Sequence, residues 1–115
     1  MKISVITPFY EGSKYMKDYV DCMEANRACL SDAGVEMEVI LVNDSPWAKL
    51  NAPSGLGQYI KVITNESNQG IHYSRVAGFL ASSGQYVMFL DQDDSIRGDA
   101  LLRMWQEIKS KTTDL

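Results

Sequence analysis

The chain is poor in residues that staple, ligate or carry positive charge. Of its 115 residues two are cysteine and one is histidine. Cys22 and Cys29 stand seven positions apart; on one helix that is about 10 Å along the axis, too far for an intramolecular disulfide. Both are expected as reduced thiols. A lone histidine, His72, and no Cys-x-x-Cys spacing leave a zinc centre without ligands. Eleven Lys and Arg against fifteen Asp and Glu give a net charge of −4. That excludes a nucleic-acid binder working through a basic face. It also means that a phosphorylated ligand needs a metal or backbone amides to hold it. No apolar run approaches the roughly 20 residues that span a bilayer. The opening MKISVITPFY is too short and too strand-like for a secretory signal, so the expected location is cytoplasmic. There are no repeats or low-complexity tracts.

What is present is ordinary for a globular domain: 45% apolar and 23% charged residues. A chain of 115 residues can enclose one core, and residues 1–115 are expected to form one domain. Residues 2–7 (KISVIT) are β-branched and apolar and read as a central strand that Pro8 ends. Ser13 is the expected cap of a helix over 14–30, in which Met16, Val20, Met23 and Leu30 recur at helical spacing and Arg27 interrupts the stripe. Gly34 is the expected C-cap. Residues 37–42 (MEVILV) read as a second buried strand. The irregular stretch 46–58 is expected to hold one helical turn near 47–50. Residues 59–64 (YIKVIT) read as a third strand. A helix over 71–83, rich in small residues that allow close approach to a sheet, is expected to end at Gly84.

The most informative stretch is 85–94, QYVMFLDQDD. A short continuous apolar run reads as a strand buried on both faces. It ends in three carboxylates within four positions: Asp91, Asp93 and Asp94. Bare carboxylates cannot be buried unpaired, so they are expected at the carboxyl edge of the sheet, where open α/β sheets bind ligands. Each like-charge pair about 4 Å apart costs roughly 1 kcal/mol in water and about 4 kcal/mol at an effective dielectric near 20. A cation relieves that repulsion, and oxygen-only ligands suit magnesium, manganese or calcium. A solvated acidic turn capping the next helix is the plainer alternative. The last helix, over 99–111, carries Leu101, Leu102, Trp105 and Ile108 on one face; Trp47 and Trp105 read as packing residues.

The order β-α-β-β-α-β-α implies an α/β fold, a mostly parallel sheet with helices on both faces. Gly-x-Gly-x-x-Gly and the P-loop are absent, so dinucleotide and P-loop readings have no support.

Four segments, taken together, resemble a known family. Ser4 to Tyr10, SVITPFY, resembles the opening Ser-Val-Ile-x-Pro-x-Tyr-Asn of family 2 glycosyltransferases. Residues 38–45, EVILVNDS, resemble its Glu-Ile-Ile-Val-Val-Asp-Asp-Gly-Ser. Asn68-Gln69-Gly70, Ser74-Arg75 and Ala77-Gly78 are similar to its Asn-x-Gly and Ala-Arg-Asn-x-Gly. Residues 84–94, GQYVMFLDQDD, resemble its Gly-Glu-Tyr-Ile-x-Phe-Leu-Asp-x-Asp-Asp. The resemblance runs from residue 3 to about residue 105. It implies a Rossmann-like GT-A fold, the N-terminal nucleotide-sugar-binding portion of a transferase. It implies a nucleotide-sugar site of Pro8, Tyr10, Asp44, Arg75 and Asp91. Tyr10 would lie against the base, Asp44 would hydrogen-bond uracil or an equivalent ring, and Arg75 would hold the acidic cluster or the diphosphate. Asp91 and Asp93 would form the Asp-x-Asp motif and bind a divalent cation, manganese or magnesium, with Asp94 in support.

The implied reaction moves a sugar, with inversion, from a nucleotide-diphosphate sugar, a UDP-sugar by preference, to a hydroxyl of a saccharide or lipid-linked acceptor. The cation would neutralise the leaving diphosphate. The general base is expected beyond residue 115. A longer enzyme could work at the cytoplasmic face of a membrane. The alternative is a nucleotide- and metal-binding module without transfer activity. A nucleotidyltransferase would need a basic glycine-rich first loop, which SVITPFYEG lacks, and a flavodoxin- or receiver-like domain does not explain the four motifs. Four departures stand out. Asn43 replaces the first aspartate of Asp-Asp-Gly-Ser, Pro46 follows Ser45 with no glycine, Glu11 stands for asparagine, and Val76 replaces the asparagine of Ala-Arg-Asn. An uncovered sheet edge and apolar surface would favour self-association.

Overall fold

The structure, a computed structural model, describes residues 1–50 and 59–112, with only the backbone of Ser13 and Thr112. The elements are β1 (Lys2–Phe9), α1 (Met16–Asp32), β2 (Glu36–Asn43), β3 (Ile60–Thr64), α2 (Ile71–Ala81), β4 (Tyr86–Phe89) and α3 (Ala100–Thr112). The strands pair in the order β3-β2-β1-β4, every pair parallel. Helices lie on both faces. α1 and α3 cover one, over Ile3, Val5, Phe9, Met37, Val39 and Leu41. α2 covers the other, over Ile6, Ile40 and Val42. The alternation of side chains along β1 and β2 makes this division. Among the described residues, no helix is long and apolar enough to cross a membrane.

Pro8 does not end β1. The strand runs to Phe9, with Pro8 level with Val42. The register explains why proline is tolerated in a central strand. Even-numbered residues of β1 turn their backbone groups toward β4: the Lys2 carbonyl accepts from Gln85 and the Ile6 carbonyl from Leu90. The missing N–H of Pro8 falls on that side, beyond Phe89 where β4 has stopped, so no ladder bond is lost.

Ser13 is not the cap of α1. A 3-10 turn, Ser13–Tyr15, leads in, and Tyr15 takes the N-cap position with no side-chain cap. The other end follows expectation. Gly34 has φ +77°, the Val35 N–H donates to the Leu30 carbonyl and the Gly34 N–H to the Ser31 carbonyl, both at 2.9 Å. That is a Schellman motif, which needs a left-handed residue. The expected stripe is buried, and Tyr19 and Asn26 join it. Asn26 is fully buried yet satisfied: its amide donates to the Cys22 and Arg97 carbonyls, and its Oδ1 accepts the Leu101 N–H at 3.1 Å. It thereby supplies an acceptor to the first turn of α3, whose N–H groups have no partners within the helix. Both cysteines are free thiols.

Three further expectations are corrected. β4 is not buried on both faces; it is the sheet edge, its residues half-buried and Phe89 45% exposed. α2 ends at Ala81, and Ser82 is already extended. Gly84 does not cap it; a Cβ there would lie 2.8 Å from the Ser4 backbone nitrogen, so the glycine permits close approach to β1. The helical turn expected near 47–50 is a tight turn in which the Ala48 N–H donates to the Ser45 carbonyl. The remainder of the stretch 46–58, from residue 51 on, lies outside the described residues.

Candidate functional site

Because all paired strands run the same way, their carboxyl ends open on one edge. A cleft of about 430 Å³ lies there. The end of β1 contributes Pro8 and Tyr10, and the end of β2 contributes Asp44. Asn68, Gly70 and Ile71 come from the loop into α2, and Asp91, Gln92 and Asp93 from the turn after β4. Five of the six residues expected to hold the nucleotide sugar and the metal thus share one cleft. The sixth, Arg75, reaches it through Asp91, its Nη2 lying 3.1 Å from Asp91 Oδ1.

The acidic turn closes on itself, the Asp94 N–H donating to the Asp91 carbonyl at 3.1 Å. Arg75 is the cation paired with it, and its Nε is buried without a partner. Among the described residues, no group of three or more His, Cys, Asp or Glu is arranged to hold a metal ion. Asp91 and Asp93 offer carboxylate oxygens alone. That donor set fits a hard cation that takes one or two carboxylates and completes its shell with water and phosphate oxygens. It does not fit a preformed protein cage.

Asp44 does more than its place in the sequence suggested. It is 4% exposed. Its Oδ1 accepts the Asn65 amide and the Gln69 N–H, both at 2.8 Å, and its Oδ2 accepts the Gly70 N–H at 2.9 Å. Burial pushes this carboxyl up, but the three donors outweigh it and hold it below its ordinary 3.8. It stays ionised and ties the 65–70 loop to the end of β2. Oδ2 keeps acceptor capacity, since an ionised carboxylate offers about four lone-pair sites. This tie also resolves the Val76 departure. Val76 is exposed, and the loop is anchored instead through Asp44, Asn65 and Ser74.

The other rim contacts were not legible in advance. Asn43 turns its amide to the Ala48 carbonyl and accepts the Ser45 N–H, so it builds the bend. Ser45 Oγ accepts the Glu11 N–H at 2.8 Å. Gln92, between the two aspartates, bonds both backbone groups of Tyr10. Trp47 is not packed inside: it is 61% exposed and stands edge-on to Tyr10, with ring centroids 5.9 Å apart. Trp105 is half-buried against Tyr86.

The model of the family described as glycosyl transferase family 2 matches residues 4–115. The chain belongs to glycosyl transferase family 2. Its relatives include glycosyltransferase GlyG of Streptococcus pneumoniae, 25% identical across 98% of this chain and 37% of the relative. The putative teichuronic acid biosynthesis glycosyltransferase TuaG of Bacillus subtilis is 30% identical across 86% of this chain and 38% of the relative. Among solved structures, S. aureus TarS 1–349 in complex with UDP-GlcNAc superposes at TM-score 0.73 and 24% identity, covering 96% of this chain and 32% of that one. The mannosyltransferase PcManGT of Pyrobaculum calidifontis, in complex with GDP-Man and Mn2+, superposes at TM-score 0.64 and 14% identity, over 87% of this chain and 30% of that one. These likenesses establish the fold, the Rossmann-like α/β arrangement of GT-A enzymes. The chain spans about a third of the length of these relatives.

Proposed function

We propose that this chain is the donor-binding portion of a glycosyltransferase, holding a nucleotide-diphosphate sugar, a UDP-sugar by preference, together with a divalent cation. One observation carries the reading: Tyr10, Asp44, Asp91 and Asp93, from three separate strand ends, line a single cleft. The half-exposed Tyr10 ring offers a face for a base. Asp44 Oδ2, ionised and with acceptor capacity left, suits the ring N–H of uracil. Asp91 and Asp93 hold manganese or magnesium, and Arg75 steadies Asp91. When bound, the cation would neutralise charge building on the departing diphosphate. The complexes of related structures with UDP-GlcNAc and with GDP-Man and Mn2+ support both the donor class and the cation.

The acceptor is a saccharide or lipid-linked hydroxyl that attacks the sugar carbon with inversion. Its proton needs a base. Among the described residues, the cleft carboxylates are Asp44, Asp91 and Asp93. The first is committed to a loop and the other two to the cation, so the base comes from elsewhere. Calorimetry with UDP, GDP and their sugars, with and without manganese, tests the reading. UDP binding that requires manganese and weakens at least tenfold in Asp93→Asn is expected. No binding of any nucleoside diphosphate in the presence of manganese would remove it. Binding without donor hydrolysis or transfer would assign this chain the binding step alone.

A further inference from the structure

We propose that Gln92, the residue between the two aspartates of the acidic turn, is a positioning residue. It fastens the Tyr10 segment to the cation-holding turn, so that the two ends of the donor site move as one body. The inference rests on the donor-site reading above.

The register of β1 supplies the reason. Even-numbered residues of β1 face β4, but β4 stops at Phe89, opposite Ile6. Pro8 has no N–H to satisfy on that side. Tyr10 does: its N–H and C=O point where no strand continues. The Gln92 side chain fills that place. Its Oε1 accepts the Tyr10 N–H at 2.9 Å and its Nε2 donates to the Tyr10 carbonyl at 3.1 Å. One side-chain amide thus makes both bonds of a neighbouring strand residue. A second, independent observation points the same way. Gly12 is buried, and a Cβ there would collide with Gln92 Oε1 and approach Phe9 Cδ1 to 2.8 Å. The chain leaves a space at Gly12 that the Gln92 amide fills.

The consequence concerns recognition. Asp91 and Asp93 flank Gln92, so any cation drawn to them fixes the turn from which the Gln92 amide projects. Two backbone bonds transmit that placement to Tyr10. Asparagine is one methylene too short to bridge the same two atoms, and glutamate loses the donor and sets an oxygen against the Tyr10 carbonyl.

The test uses the full chain in two measurements. In Gln92→Met, which keeps length and volume but makes neither bond, calorimetric affinity for UDP with manganese is expected to fall about tenfold. Gln92→Glu, which keeps the acceptor for the Tyr10 N–H but sets an oxygen against the Tyr10 carbonyl, should fall as well. In amide-resolved NMR, magnesium alone should shift the Tyr10 and Glu11 resonances together with those of Asp91 and Asp93. In Gln92→Met the turn should still respond while Tyr10 does not. A purely structural tether would lower thermal stability without separating the two responses. Unchanged UDP affinity in a folded Gln92→Met overturns the proposal. So does a Tyr10 response that survives the substitution, or no magnesium response at the turn of the unsubstituted chain. If Gln92→Met does not fold, Gln92→Glu decides by the same two readouts. If the unsubstituted chain binds no nucleoside diphosphate yet Tyr10 follows magnesium through Gln92, the donor reading fails and the coupling stands.

Discussion

The two faces of the sheet are built on different terms. Among the described residues, fourteen buried apolar side chains from Ile3 to Leu101 form one cluster between the sheet and α1 and α3. Beneath α2 there are three, Ile6, Ile40 and Val42. Ile63, Ala77 and Val87 pack against those three, and beside them lies a polar knot around Glu38. Ser4 Oγ donates to it at 2.6 Å, the Ser83 N–H at 2.9 Å and Lys61 Nζ at 3.0 Å. Outside it, α2 presents Val76, Phe79 and Leu80 to solvent, with Leu80 77% exposed. Phe89 of the edge strand is 45% exposed. One face is a finished core; the other is held by hydrogen bonds and carries uncovered apolar surface. The family relatives named above are about three times as long. If copies of this chain associate, the α2 face is where they would bury most apolar area.

Truncation should expose this asymmetry most strongly. Leu41, fully buried beneath α1, should cost about 2–5 kcal/mol when changed to alanine, as cavity-forming substitutions do. Leu80→Ala should stay within about 0.5 kcal/mol. Urea denaturation of the two variants measures both. Equal losses would mean that the α2 face is as complete as its opposite.

The polar knot gives the second contrast, in pH. Burial raises the Glu38 carboxyl, but bonds from Ser4, Ser83 and Lys61 outweigh it and bring it down from an ordinary 4.5 to about 2. A group with a depressed folded pKa contributes stability that is fully present above its unfolded pKa and lost as pH falls through the folded one. For Glu38 the contribution is complete above about pH 4.5 and lost between there and about pH 2. It amounts to roughly 3 kcal/mol. Stability curves should drop through that window in the unsubstituted chain and be flatter there in Glu38→Gln. An unchanged slope would place the acid sensitivity elsewhere, with Asp44 the next group to test.

Much of this was legible in the sequence, for reasons that also mark the limits. Period-two and period-3.6 patterns located the strands and helices, because burial on a face writes itself into residue spacing. The acidic end of 85–94 pointed to the edge on which the cleft opens, because carboxylates cannot be buried alone. What could not be read was position within the sheet. The run YVMFL is the same whether a strand is central or at the edge, so it does not reveal that β4 is an edge strand. The same gap hid why Pro8 stays inside β1, since that depends on where the neighbour stops. Asp44 could be marked as polar at a strand end, but not as the anchor of the 65–70 loop, twenty and more residues away. The role of Gln92 is hidden in the sequence for the same reason. A glutamine between two aspartates signals nothing until Tyr10 is found opposite it without a strand partner.

The smallest effect concerns the rim that joins the two faces. Glu11 has φ +47°, a left-handed conformation in which an ordinary side chain crowds the following carbonyl at a cost of about 1–2 kcal/mol. The motif that residues 4–10 resemble continues with asparagine there, a residue that tolerates this region better. The departure noted from sequence therefore has a backbone meaning. Glu11 is held in place by its N–H on Ser45 Oγ, a bond that any residue but proline can make. Glu11→Gly should relieve the crowding but lose some of the gain to the freer unfolded chain. A net stabilisation of about 0.5–1 kcal/mol is expected, and less for Glu11→Asn. Urea midpoints at pH 7 measure both. A loss of stability in Glu11→Gly would show that the glutamate side chain repays its own strain. The rim would then be a third packed region rather than a strained bridge between a finished face and an unfinished one.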